Sequence, residues 1–412
     1  PIPIGMPDAA IADILSVSNP VAVATTASQA GRLPEAWRTH DRCTILERGW
    51  QDRLSDADLK ALSLAPRPGG GNLAFCVMSS GTTGQRKGIL CPHRGAVNSH
   101  WWRYHHLAYG DDEREACNVF FVWEVLRPML QGRPAYVIAD DIIFDPPRLI
   151  EFLERHRITR VLFTPSLLDQ VLKDSRQDFA ERLANLRVVI CNGEVVTTAL
   201  AERFNKRLPH VSLVNDYSIS ECHDVATVEL RTSSLQSASR YLPVGRPMSN
   251  VNVYILDSEQ QPVPVGTPGE VYVGGDGLAL GYLSNTSETA LRFLDDPFAR
   301  PCSGRGPARM FRTGDTGRLL PGGEIEITGR SDFLIKLRGY SIVPAAVEAE
   351  IRSFDAITAA GSRWVSTKVA SGKALRNGTS CSRCWGDLST QRKWLAPRWR
   401  RCHWIACNTF LK

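Results

Sequence analysis

The sequence lacks any uninterrupted apolar stretch as long as the roughly 20 residues that a membrane-spanning helix needs. Its first residues, 1–4, also lack the basic-then-apolar order of a secretory signal peptide. The first absence argues against a membrane-embedded protein. The chain does not begin with Met, and we therefore expect it to be a fragment of a longer protein.

A regular cysteine framework is absent as well. The eleven cysteines are scattered, and some of them, including Cys76 and Cys191, stand in apolar surroundings. Disulfide-rich secreted proteins instead space their cysteines regularly within a short chain. The pattern therefore predicts a reducing compartment, and we expect the protein in the cytoplasm.

Basic residues are not in excess over most of the chain, although the formal net charge is +6. Residues 361–412 contain eleven Lys or Arg and one acidic residue, Asp387. The other 360 residues contain 38 basic and 42 acidic residues. This mildly acidic body gives no indication of nucleic-acid binding.

Apolar strand patterns alternate with amphipathic helix patterns in the middle of the chain. Residues 160–163 and 187–191 are typical of buried strands, and residues 147–156 and 197–207 are typical of amphipathic helices. Such alternation indicates a largely parallel sheet covered by helices on both faces. Beyond residue 240 the strands become short and are separated by Gly and Pro, which predicts a small antiparallel β subdomain.

Residues 78–88 follow a short apolar run, 73–77, that is typical of a buried strand. They contain three glycines, four hydroxyl residues and Lys87. Glycines allow backbone N–H groups to form a concave nest and the lysine adds positive charge, so this loop suits a polyphosphate. It differs from the Walker loop, because Lys87 is followed by Gly88 and not by Ser or Thr. The competing interpretation is a flexible Ser/Gly linker.

Two further stretches carry candidate ligand groups. Residues 215–221 follow a strand, where α/β sheets place their binding loops. Within them, Tyr217 offers an aromatic face to a purine and the Glu221 carboxylate suits Mg²⁺, whereas a solvated turn is the alternative. In residues 311–315, the Asp315 carboxylate is able to accept hydrogen bonds from both hydroxyls of a ribose.

Together these segments resemble the adenylate-forming enzymes, which include acyl-CoA synthetases, luciferases and the adenylation domains of nonribosomal peptide synthetases. Residues 80–88 match the family loop Ser-Gly-Thr-Thr-Gly-x-Pro-Lys-Gly, with Arg86 in place of the proline. Residues 215–221 resemble Asn-x-Tyr-Gly-x-Thr-Glu, and residues 311–315 resemble Tyr-Arg-Thr-Gly-Asp. Residues 329–339 then follow the family pattern that opens with Gly-Arg-x-Asp. The likeness is greatest to the adenylation domains of peptide-synthetase-like proteins.

The resemblance implies an α/β fold with an unequal division of the chain. Residues 1–331 would form a large adenylation domain that lacks its N-terminal part, with mostly parallel sheets, helices and a small antiparallel β subdomain. Residues 332–360 would begin an incomplete small C-terminal α+β domain. Asp332 would be the hinge about which that domain rotates between the adenylation pose and the thiolation pose. We expect the basic, Trp- and Cys-rich residues 361–412 not to be native to the fold.

The resemblance also implies site residues drawn from separate motifs. It gives catalytic roles to Thr83, Lys87 and Glu221, and it assigns Mg²⁺ to Thr83 and Glu221. The residues implied to bind ATP are Ser79, Ser80, Gly81, Thr82, Thr83, Gly84, Lys87, Asn192, Gly193, Glu194, Asp216, Tyr217, Ser220, Asp315 and Arg330. The residues implied to line the acid pocket are His93, Val119, Phe120, Trp123, Ile190, Asn192, Asp216, Asp224 and Val225.

The pocket residues bear on the choice of acid. Family members that activate amino acids place an aspartate against the α-ammonium, and Val119 stands at that position here. Because a buried ammonium without a partner is costly, we expect a substrate other than a standard α-amino acid. Phe120, Trp123 and the acidic pocket residues are able to form a cage for a quaternary ammonium, as in fungal betaine reductases with an adenylation domain. An aryl or small acyl acid is the alternative, and so is simple core packing of the two aromatics.

The end of the chain departs from the family. The family's C-terminal lysine lies in a Pro-x-x-x-x-Gly-Lys segment, and no such segment follows Ala360. Half of the ten tryptophans lie in residues 361–412 without apolar periodicity, which is typical of a frame-shifted or mis-spliced sequence. Cys381 and Cys384 imitate part of a zinc ribbon, but no strand pattern flanks them and we do not favour a zinc site.

These observations predict ATP-dependent activation of a carboxylic acid as an acyl-adenylate. Transfer to the phosphopantetheine thiol of a carrier-protein domain would follow, within a synthetase like those of nonribosomal peptides or a carboxylic acid reductase. The carrier domain is expected in the same full-length polypeptide, and no nucleic acid or membrane is expected as a partner. The alternatives are a truncated, catalytically impaired nucleotide-binding remnant and an acyl-CoA ligase.

Overall fold

The computed structural model describes residues 2, 4–39, 41–80, 86–118, 122–173, 178–230, 241–299, 307–330, 335–337 and 340–342. The predicted hinge Asp332 and the tail 361–412 lie outside these residues. The proposed domain division at Asp332 therefore stays a prediction.

Eleven α-helices lie in the described part of the chain. In chain order they are α1 (Asp8–Ser18), α2 (Ala27–Ala30), α3 (Asp56–Leu64), α4 (His93–His106), α5 (Val122–Leu130), α6 (Asp140–Ile143), α7 (Pro146–Arg155), α8 (Pro165–Lys173), α9 (Phe179–Arg182), α10 (Thr198–Arg207) and α11 (Thr286–Arg292). None of these described helices has both the length and the apolar character needed to cross a bilayer.

Helix α7 shows how local sequence sets these elements. Asp145 precedes it and its side chain accepts a hydrogen bond from the Arg148 backbone N–H, while prolines occupy the first helical positions. Both features are favourable at a helix N-terminus. The apolar stripe of Leu149, Ile150 and Leu153 is buried against the sheet core, and the polar face is left to solvent.

Nineteen strands are described. They are β1 (Val23–Thr25), β2 (Cys43–Ile45), β3 (Leu73–Ser80), β4 (Arg86–Pro92), β5 (Glu115–Cys117), β6 (Ala135–Val137), β7 (Arg160–Phe163), β8 (Val188–Asn192), β9 (Ser212–Ile219), β10 (His223–Leu230), β11 (Arg246–Pro247), β12 (Val251–Leu256), β13 (Gly269–Gly275), β14 (Gly281–Tyr282), β15 (Phe293–Asp295), β16 (Arg309–Leu319), β17 (Ile325–Arg330), β18 (Ile335–Leu337) and β19 (Tyr340–Ile342).

The largest sheet has seven strands in the order β11-β10-β9-β8-β7-β5-β6. The pairs from β6 to β9 are parallel, whereas β10 and β11 add antiparallel strands at the other edge. Helices α7, α8 and α10 supply apolar residues to the core that this sheet shares. The predicted parallel sheet covered by helices is therefore confirmed.

Four smaller sheets lie in the described part of the chain, one of which is the antiparallel pair of β18 with β19. An antiparallel sheet has the order β12-β13-β16-β15, with β17 also paired to β16, and it confirms the predicted antiparallel subdomain. A three-stranded antiparallel sheet has the order β14-β4-β3. Its apolar side joins the antiparallel sheet and the β9–β10 hairpin in one core, which includes Ile89, Tyr217, Val271 and Phe311. A short pair, β1 with β2, is parallel.

The boundaries around the motifs differ from expectation. The sequence predicts a loop over residues 215–221, but residues 215–219 continue β9 and only the turn beyond them is irregular. Strand β10 follows at once and was not predicted. Polar residues such as Asn215 and Asp216 are poor strand formers, yet pairing with β8 and β10 overrides that local preference. The predicted loop over residues 78–88 is likewise shorter, because β3 and β4 extend into it from both sides.

Candidate active site

The predicted phosphate loop lies between β3 and β4, which form an antiparallel hairpin. Ser79 pairs with Lys87 and Ser80 pairs with Arg86. The hairpin therefore holds the two ends of the loop at fixed, adjacent positions. The loop residues that lie outside the described part of the chain, and whose phosphate contacts stay predictions, are Gly81, Thr82, Thr83 and Gly84.

Lys87 is held in a buried position on β4. Its side chain is 8% exposed, and Nζ lies 2.8 Å from Oε1 of Glu288 on α11. The same Nζ lies 5.5 Å from the centroid of the Tyr282 ring, within the range of cation–π attraction. Burial acts to raise the pKa of Glu288, but the hydrogen bond from Lys87 and its charge outweigh burial and lower it. The ion pair keeps a positive charge at the end of the phosphate loop.

Glu221 lies in the turn between β9 and β10. The Tyr282 hydroxyl donates a hydrogen bond to Glu221 Oε1 at 2.9 Å, and the Glu221 carbonyl accepts one from the Ala279 N–H at 2.8 Å. Burial and the neighbouring Glu221 carboxylate raise the pKa of Tyr282 well above its usual range. Glu221 is thus held through its carboxylate and through its backbone carbonyl, both by residues 279–282.

This donor set fits Mg²⁺ better than a metal held by protein side chains alone. Among the residues that the structure describes, no group of three or more His, Cys, Asp or Glu side chains is arranged to hold a metal. Mg²⁺ is commonly held by few carboxylates together with substrate phosphates and water. Glu221 and the predicted ligand Thr83 would be the protein's contribution, of which Thr83 lies outside the described residues.

Three predicted nucleotide residues from three motifs meet at one carboxylate. The Tyr217 hydroxyl donates to Asp315 Oδ2 at 2.5 Å, and Arg330 Nη1 donates to Asp315 Oδ1 at 2.6 Å. Asp315 and Arg330 are register partners on β16 and β17. Burial and the Asp315 charge raise the pKa of Tyr217, so its hydroxyl stays a donor. Because a carboxylate oxygen accepts more than one hydrogen bond, Asp315 retains capacity for ribose hydroxyls.

Asn192 connects the nucleotide residues to the predicted acid pocket. It ends β8, its Nδ2 donates to Asp216 Oδ2, and its Oδ1 accepts a hydrogen bond from Ser218 Oγ at 3.0 Å. Gly193 follows with φ 89°, in the left-handed region that favours glycine. This turn takes the chain out of the sheet directly after Asn192, whose side chain is left against β9.

Glu194 and Ser220 have structural partners. The Glu194 carboxylate accepts hydrogen bonds from the Ser166 backbone N–H and from Ser166 Oγ, both at 3.0 Å. A carboxylate in this position stabilises the first turn of α8. The Ser220 carbonyl accepts a hydrogen bond from Cys91 Sγ at 3.7 Å, which ties the turn after β9 to β4. The nucleotide contacts predicted for both residues stay predictions.

The predicted pocket residues Asp216 and Asp224 share a buried arginine that sequence reasoning missed. Arg103, on α4, donates from Nε to Asp224 Oδ2 at 2.9 Å and from Nη2 to Asp216 Oδ2 at 2.8 Å. Ser99, one turn earlier, donates to Asp224 Oδ2 at 2.5 Å. The Arg103 side chain is 2% exposed. A desolvated arginine with two carboxylates is strongly held, because each ion would be costly to bury alone.

A second buried arginine lies beside this group. Arg127, on α5, makes a bidentate pair with Glu124, with N–O distances of 2.6 and 2.7 Å. Its Nη2 also lies 4.0 Å from Asp224 Oδ2. We call Arg103, Arg127, Glu124, Asp216 and Asp224 the buried charge cluster. With every member ionised, it carries two positive and three negative charges.

Some polar atoms of the cluster are unsatisfied. Within the described part of the chain, Arg103 Nη1, Arg127 Nε and Asp216 Oδ1 are buried and have no hydrogen-bond partner, and the same holds for His100 Nε2. Burial raises the pKa of Asp216 to about 7. Burial would also raise the pKa of Asp224, but Arg103 and Arg127 outweigh it and hold that pKa below its usual range. A buried polar atom without a hydrogen bond is costly, so a polar group of a substrate or a water molecule that bonds to it stabilises the site.

Asp224 is presented by an irregular hairpin. Asp224 pairs with Ser218 and Ala226 pairs with Tyr217, so Val225 is the extra residue of a β-bulge. Bulges occur next to active sites, where they redirect side chains. His223, at the start of β10, has φ 57°. A Cβ on Gly95 of α4 would lie 2.8 Å from its ring, so the glycine lets α4 approach this hairpin closely.

Of the remaining predicted pocket residues, some are described by the structure and two lie outside the described residues. Ile190 and Val225 are fully buried, and His93 begins α4, with its backbone N–H donating to the Asn72 carbonyl at 3.0 Å. Trp123 is placed on α5. Val119 and Phe120 lie outside the described residues, so the predicted aromatic cage stays a prediction.

Sequence reasoning missed Arg103, Arg127, Tyr282 and Glu288. The available signal for the arginines was that each stands among apolar or aromatic neighbours in sequence, where a charged residue facing inward needs a partner. For Tyr282 the available signal was its place after Gly281, in the stretch of short strands separated by Gly and Pro. Neither signal identifies the partner, because the partners are distant in sequence.

Comparison with known proteins gives consistent results. The family profile described as AMP-binding enzyme matches residues 1–283. The glycine betaine reductase ATRR of Emericella nidulans is 39% identical over 344 residues, covering 83% of this chain and 26% of that protein. Malpibaldin synthetase of Mortierella alpina is 36% identical over 299 residues, covering 70% of this chain and 5% of that protein. The chain therefore spans about a quarter of the length of the first relative and a much smaller share of the second.

Solved structures agree on the fold. An artificially fused adenylation–PCP di-domain protein, NpsA-ThdA from Klebsiella oxytoca, aligns with a TM-score of 0.70 at 20% identity, covering 87% of this chain and 69% of that one. The nonribosomal peptide synthetase FmoA3 aligns with a TM-score of 0.69 at 25% identity, covering 80% of this chain and 34% of that one. The α/β architecture described above is that of adenylation domains.

Proposed function

Since this chain belongs to the AMP-binding enzyme family, we propose that it activates a carboxylic acid with ATP, forming an acyl-adenylate and pyrophosphate. The observation that carries the proposal is the meeting of Tyr217 and Arg330 at Asp315. These residues were assigned to adenine and ribose from separate motifs, and their contact supports one nucleotide site. Lys87 and Glu221, the proposed phosphate and metal residues, are both in contact with Tyr282.

In the proposed reaction a carboxylate oxygen of the acid attacks the α-phosphorus of ATP. The bond from that phosphorus to the oxygen bridging to the β-phosphate breaks, and pyrophosphate leaves with the electron pair. Lys87 would offset charge on the phosphates, and Asp315 would accept hydrogen bonds from ribose hydroxyls. Tyr217 would stack on adenine. Bound Mg²⁺, held by Thr83 and Glu221, would supply further positive charge at the phosphate oxygens.

For the acid we propose a betaine-like compound with a permanent positive charge. Val119 replaces the aspartate that would pair with an α-ammonium, which disfavours a standard α-amino acid. Asp216 Oδ1 has no partner among the described residues, and when Asp216 is ionised the cluster has a formal excess of one negative charge, which favours a cation. The relative at 39% identity, named a glycine betaine reductase, gives independent support. Aryl acids are the competing class.

The proposed second step transfers the acyl group to the phosphopantetheine thiol of a carrier domain. The thiol sulfur attacks the acyl carbon, a thioester forms, and AMP leaves. This step is proposed because the solved neighbours include adenylation–PCP di-domain proteins. A hinge at Asp332 between residues 1–331 and the following small domain would allow the change between the two poses.

Carboxylate-dependent exchange of pyrophosphate into ATP tests the proposal. Glycine betaine should support exchange above the rate without acid, whereas glycine and benzoate should not. Exchange with benzoate alone would move the substrate to the aryl class. ATP binding without exchange for any acid would identify a catalytically impaired nucleotide-binding remnant. In the exchange-active case, product formed with coenzyme A but not with a carrier protein would indicate an acyl-CoA ligase.

A further inference from the structure

One segment contacts both the proposed phosphate lysine and the proposed metal carboxylate. We define the clamp segment as residues 279–292, which include β14 and α11. Its backbone is hydrogen-bonded to β4, from the Leu283 N–H to the Gly88 carbonyl and from the Leu280 N–H to the Leu90 carbonyl, both at 2.7 Å. The Ala279 N–H donates to the Glu221 carbonyl at 2.8 Å. The clamp segment is therefore fixed to the hairpin of the phosphate loop and to the turn of Glu221.

Glu288 is the clamp residue that reaches Lys87. The Asn285 side chain accepts a hydrogen bond from the Glu288 N–H at 3.1 Å, which stabilises the first turn of α11. The Glu288 carboxylate then pairs with Lys87 Nζ at 2.8 Å, and Arg292 Nε lies 3.6 Å from the same oxygen. A buried lysine without a counter-charge would be strained by desolvation. Glu288 supplies the counter-charge for the Lys87 ammonium at its buried position.

Tyr282 contacts both functional groups at once. Its hydroxyl donates to Glu221 Oε1 at 2.9 Å, and its ring lies under Lys87 Nζ at 5.5 Å from the centroid. Its backbone N–H donates to Thr289 Oγ1 at 2.9 Å. A Cβ on the preceding Gly281 would lie 2.6 Å from Thr289 Cγ2, so only glycine allows β14 to approach α11 this closely. The position of the tyrosine is thus set by the clamp segment's own packing.

We propose that Glu288 and Tyr282 are positioning residues for nucleotide and Mg²⁺ binding, an inference that rests on the proposed function for the identity of the ligands. Glu288 directs the Lys87 ammonium towards the phosphates, and Tyr282 directs the Glu221 carboxylate towards the metal. The two groups are then correctly placed before the nucleotide enters, so less reorganisation is needed on binding. Neither residue is assigned a contact with the reacting atoms.

A double-mutant cycle tests the role of Glu288. The readout is calorimetric binding of a non-hydrolysable ATP analogue with Mg²⁺ to the full chain. Glu288→Gln keeps an acceptor of similar shape but removes the charge, and we expect it to weaken binding about tenfold, since partners of ligand-binding groups typically cost about 10–100-fold when changed. In a Lys87→Met background the same change should have little further effect.

The control is Glu270→Gln. Glu270 pairs with Arg312 in the antiparallel sheet, at 2.9 Å, and it has no assigned part in the site. This variant should bind the analogue as the unchanged chain does. Binding that is equal or tighter in Glu288→Gln would overturn the proposal, because Glu288 would then compete with the phosphates for Lys87. Equal losses in both backgrounds would also overturn it, since Glu288 would then act through the fold and not through Lys87.

Tyr282→Phe tests the second contact, since it removes the hydroxyl but keeps the ring beside Lys87. We expect the Mg²⁺ concentration for half-maximal analogue binding to rise about tenfold, with binding in the absence of Mg²⁺ little changed. An unchanged Mg²⁺ requirement would refute the role of Tyr282. Thermal unfolding of each variant separates these effects from misfolding.

These readouts distinguish the inference from the proposed function. If pyrophosphate exchange is absent but the Glu288 and Lys87 changes remain non-additive in binding, the positioning role stands and the activity does not. If exchange occurs but the changes are additive, the activity stands and the positioning role fails.

Discussion

The residues proposed to bind nucleotide and the buried charge cluster differ in how far their ion pairs are exposed to solvent. On the nucleotide side, Lys87 pairs with Glu288 and Asp315 pairs with Arg330, and Glu288 and Arg330 are each 20% exposed. In the cluster, Arg103 and Arg127 are 2% and 1% exposed. Unpaired polar atoms also occur there, within the part of the chain that the structure describes.

This difference indicates how each region meets its ligand. Ion pairs with one member that reaches solvent change partners at a smaller cost than fully desolvated pairs, because water replaces part of the lost contacts. The nucleotide residues are therefore suited to a ligand that brings its own charges and its own metal. The cluster is desolvated before any ligand arrives, so an added group must match the charges and atoms already present. We therefore expect the proposed nucleotide residues to bind ATP whichever acid is present, and the buried charge cluster to select among acids.

The largest effect should come from removing Arg103. Arg103→Ala leaves the Asp216 and Asp224 carboxylates buried without their main counter-charge, and such a change typically costs about 3–5 kcal/mol. Denaturant unfolding of the full chain measures the loss. Adding Asp216→Asn should recover part of it, because one of the two uncompensated charges is removed.

The matched control for Arg103 is Arg187→Ala. Arg187 forms an exposed ion pair with Asp112 and lies 3.7 Å from Glu113, and exposed pairs contribute much less to stability than desolvated ones because solvent screens them. If the two arginine variants lost similar free energies of unfolding, the buried ion pairs would contribute no more to stability than an exposed pair. The contrast between the two regions would then be wrong.

A smaller effect, on binding and not on folding, is expected from Asp315→Ala. This change removes the acceptor that Tyr217 and Arg330 share, and we expect the affinity for an ATP analogue to fall about 10–100-fold. Asp296→Ala is the control, since Asp296 also accepts a tyrosine hydroxyl, that of Tyr254, at 3.1 Å. An equal loss of nucleotide affinity in the control would argue against a specific role for Asp315.

The smallest effect is a pH dependence of acid binding. Burial raises the pKa of Asp216 to about 7, so this carboxyl is mostly neutral at pH 6 and mostly charged at pH 8. A cationic acid binds the charged form, and its affinity should therefore rise with pH, by about tenfold over that interval. Calorimetric titration with glycine betaine measures it, and Asp216→Asn should flatten the profile. Tighter binding at pH 6 would contradict a cation at Asp216.

The local motifs were sufficient to nominate the proposed nucleotide residues, whose roles stay predictions. Tyr217, Asp315 and Arg330 stand in local motifs whose wording survives in this chain, and the structure brings them together. The α/β order was also predictable, because strands such as β7 and helices such as α7 have strong local periodicity. Thr83, Val119, Phe120 and Asp332 remain predictions.

The acid side was only partly predictable. Arg103 lies in α4, but the face of that helix that meets β9 and β10 depends on packing between distant segments. Strand β10 was missed because its existence follows from pairing with β9, and strand preference depends more on such context than helix preference does. The same reason hid Glu288, whose partner Lys87 lies far away in sequence.

The β9–β10 hairpin limits how acid preference can change during evolution or by design. Asp216 and Asp224 lie on its two strands, and Glu221 lies in the turn between them. Under the proposed function, a substitution that reshapes these strands would also shift the carboxylate proposed for the metal, so a new acid preference obtained residue by residue would reduce turnover. Exchange of the whole hairpin, together with the segment of α4 that carries Ser99 and Arg103, would preserve the internal charge balance. Under the proposed function, the unit of acid specificity is thus the β9–β10 hairpin together with one turn of α4.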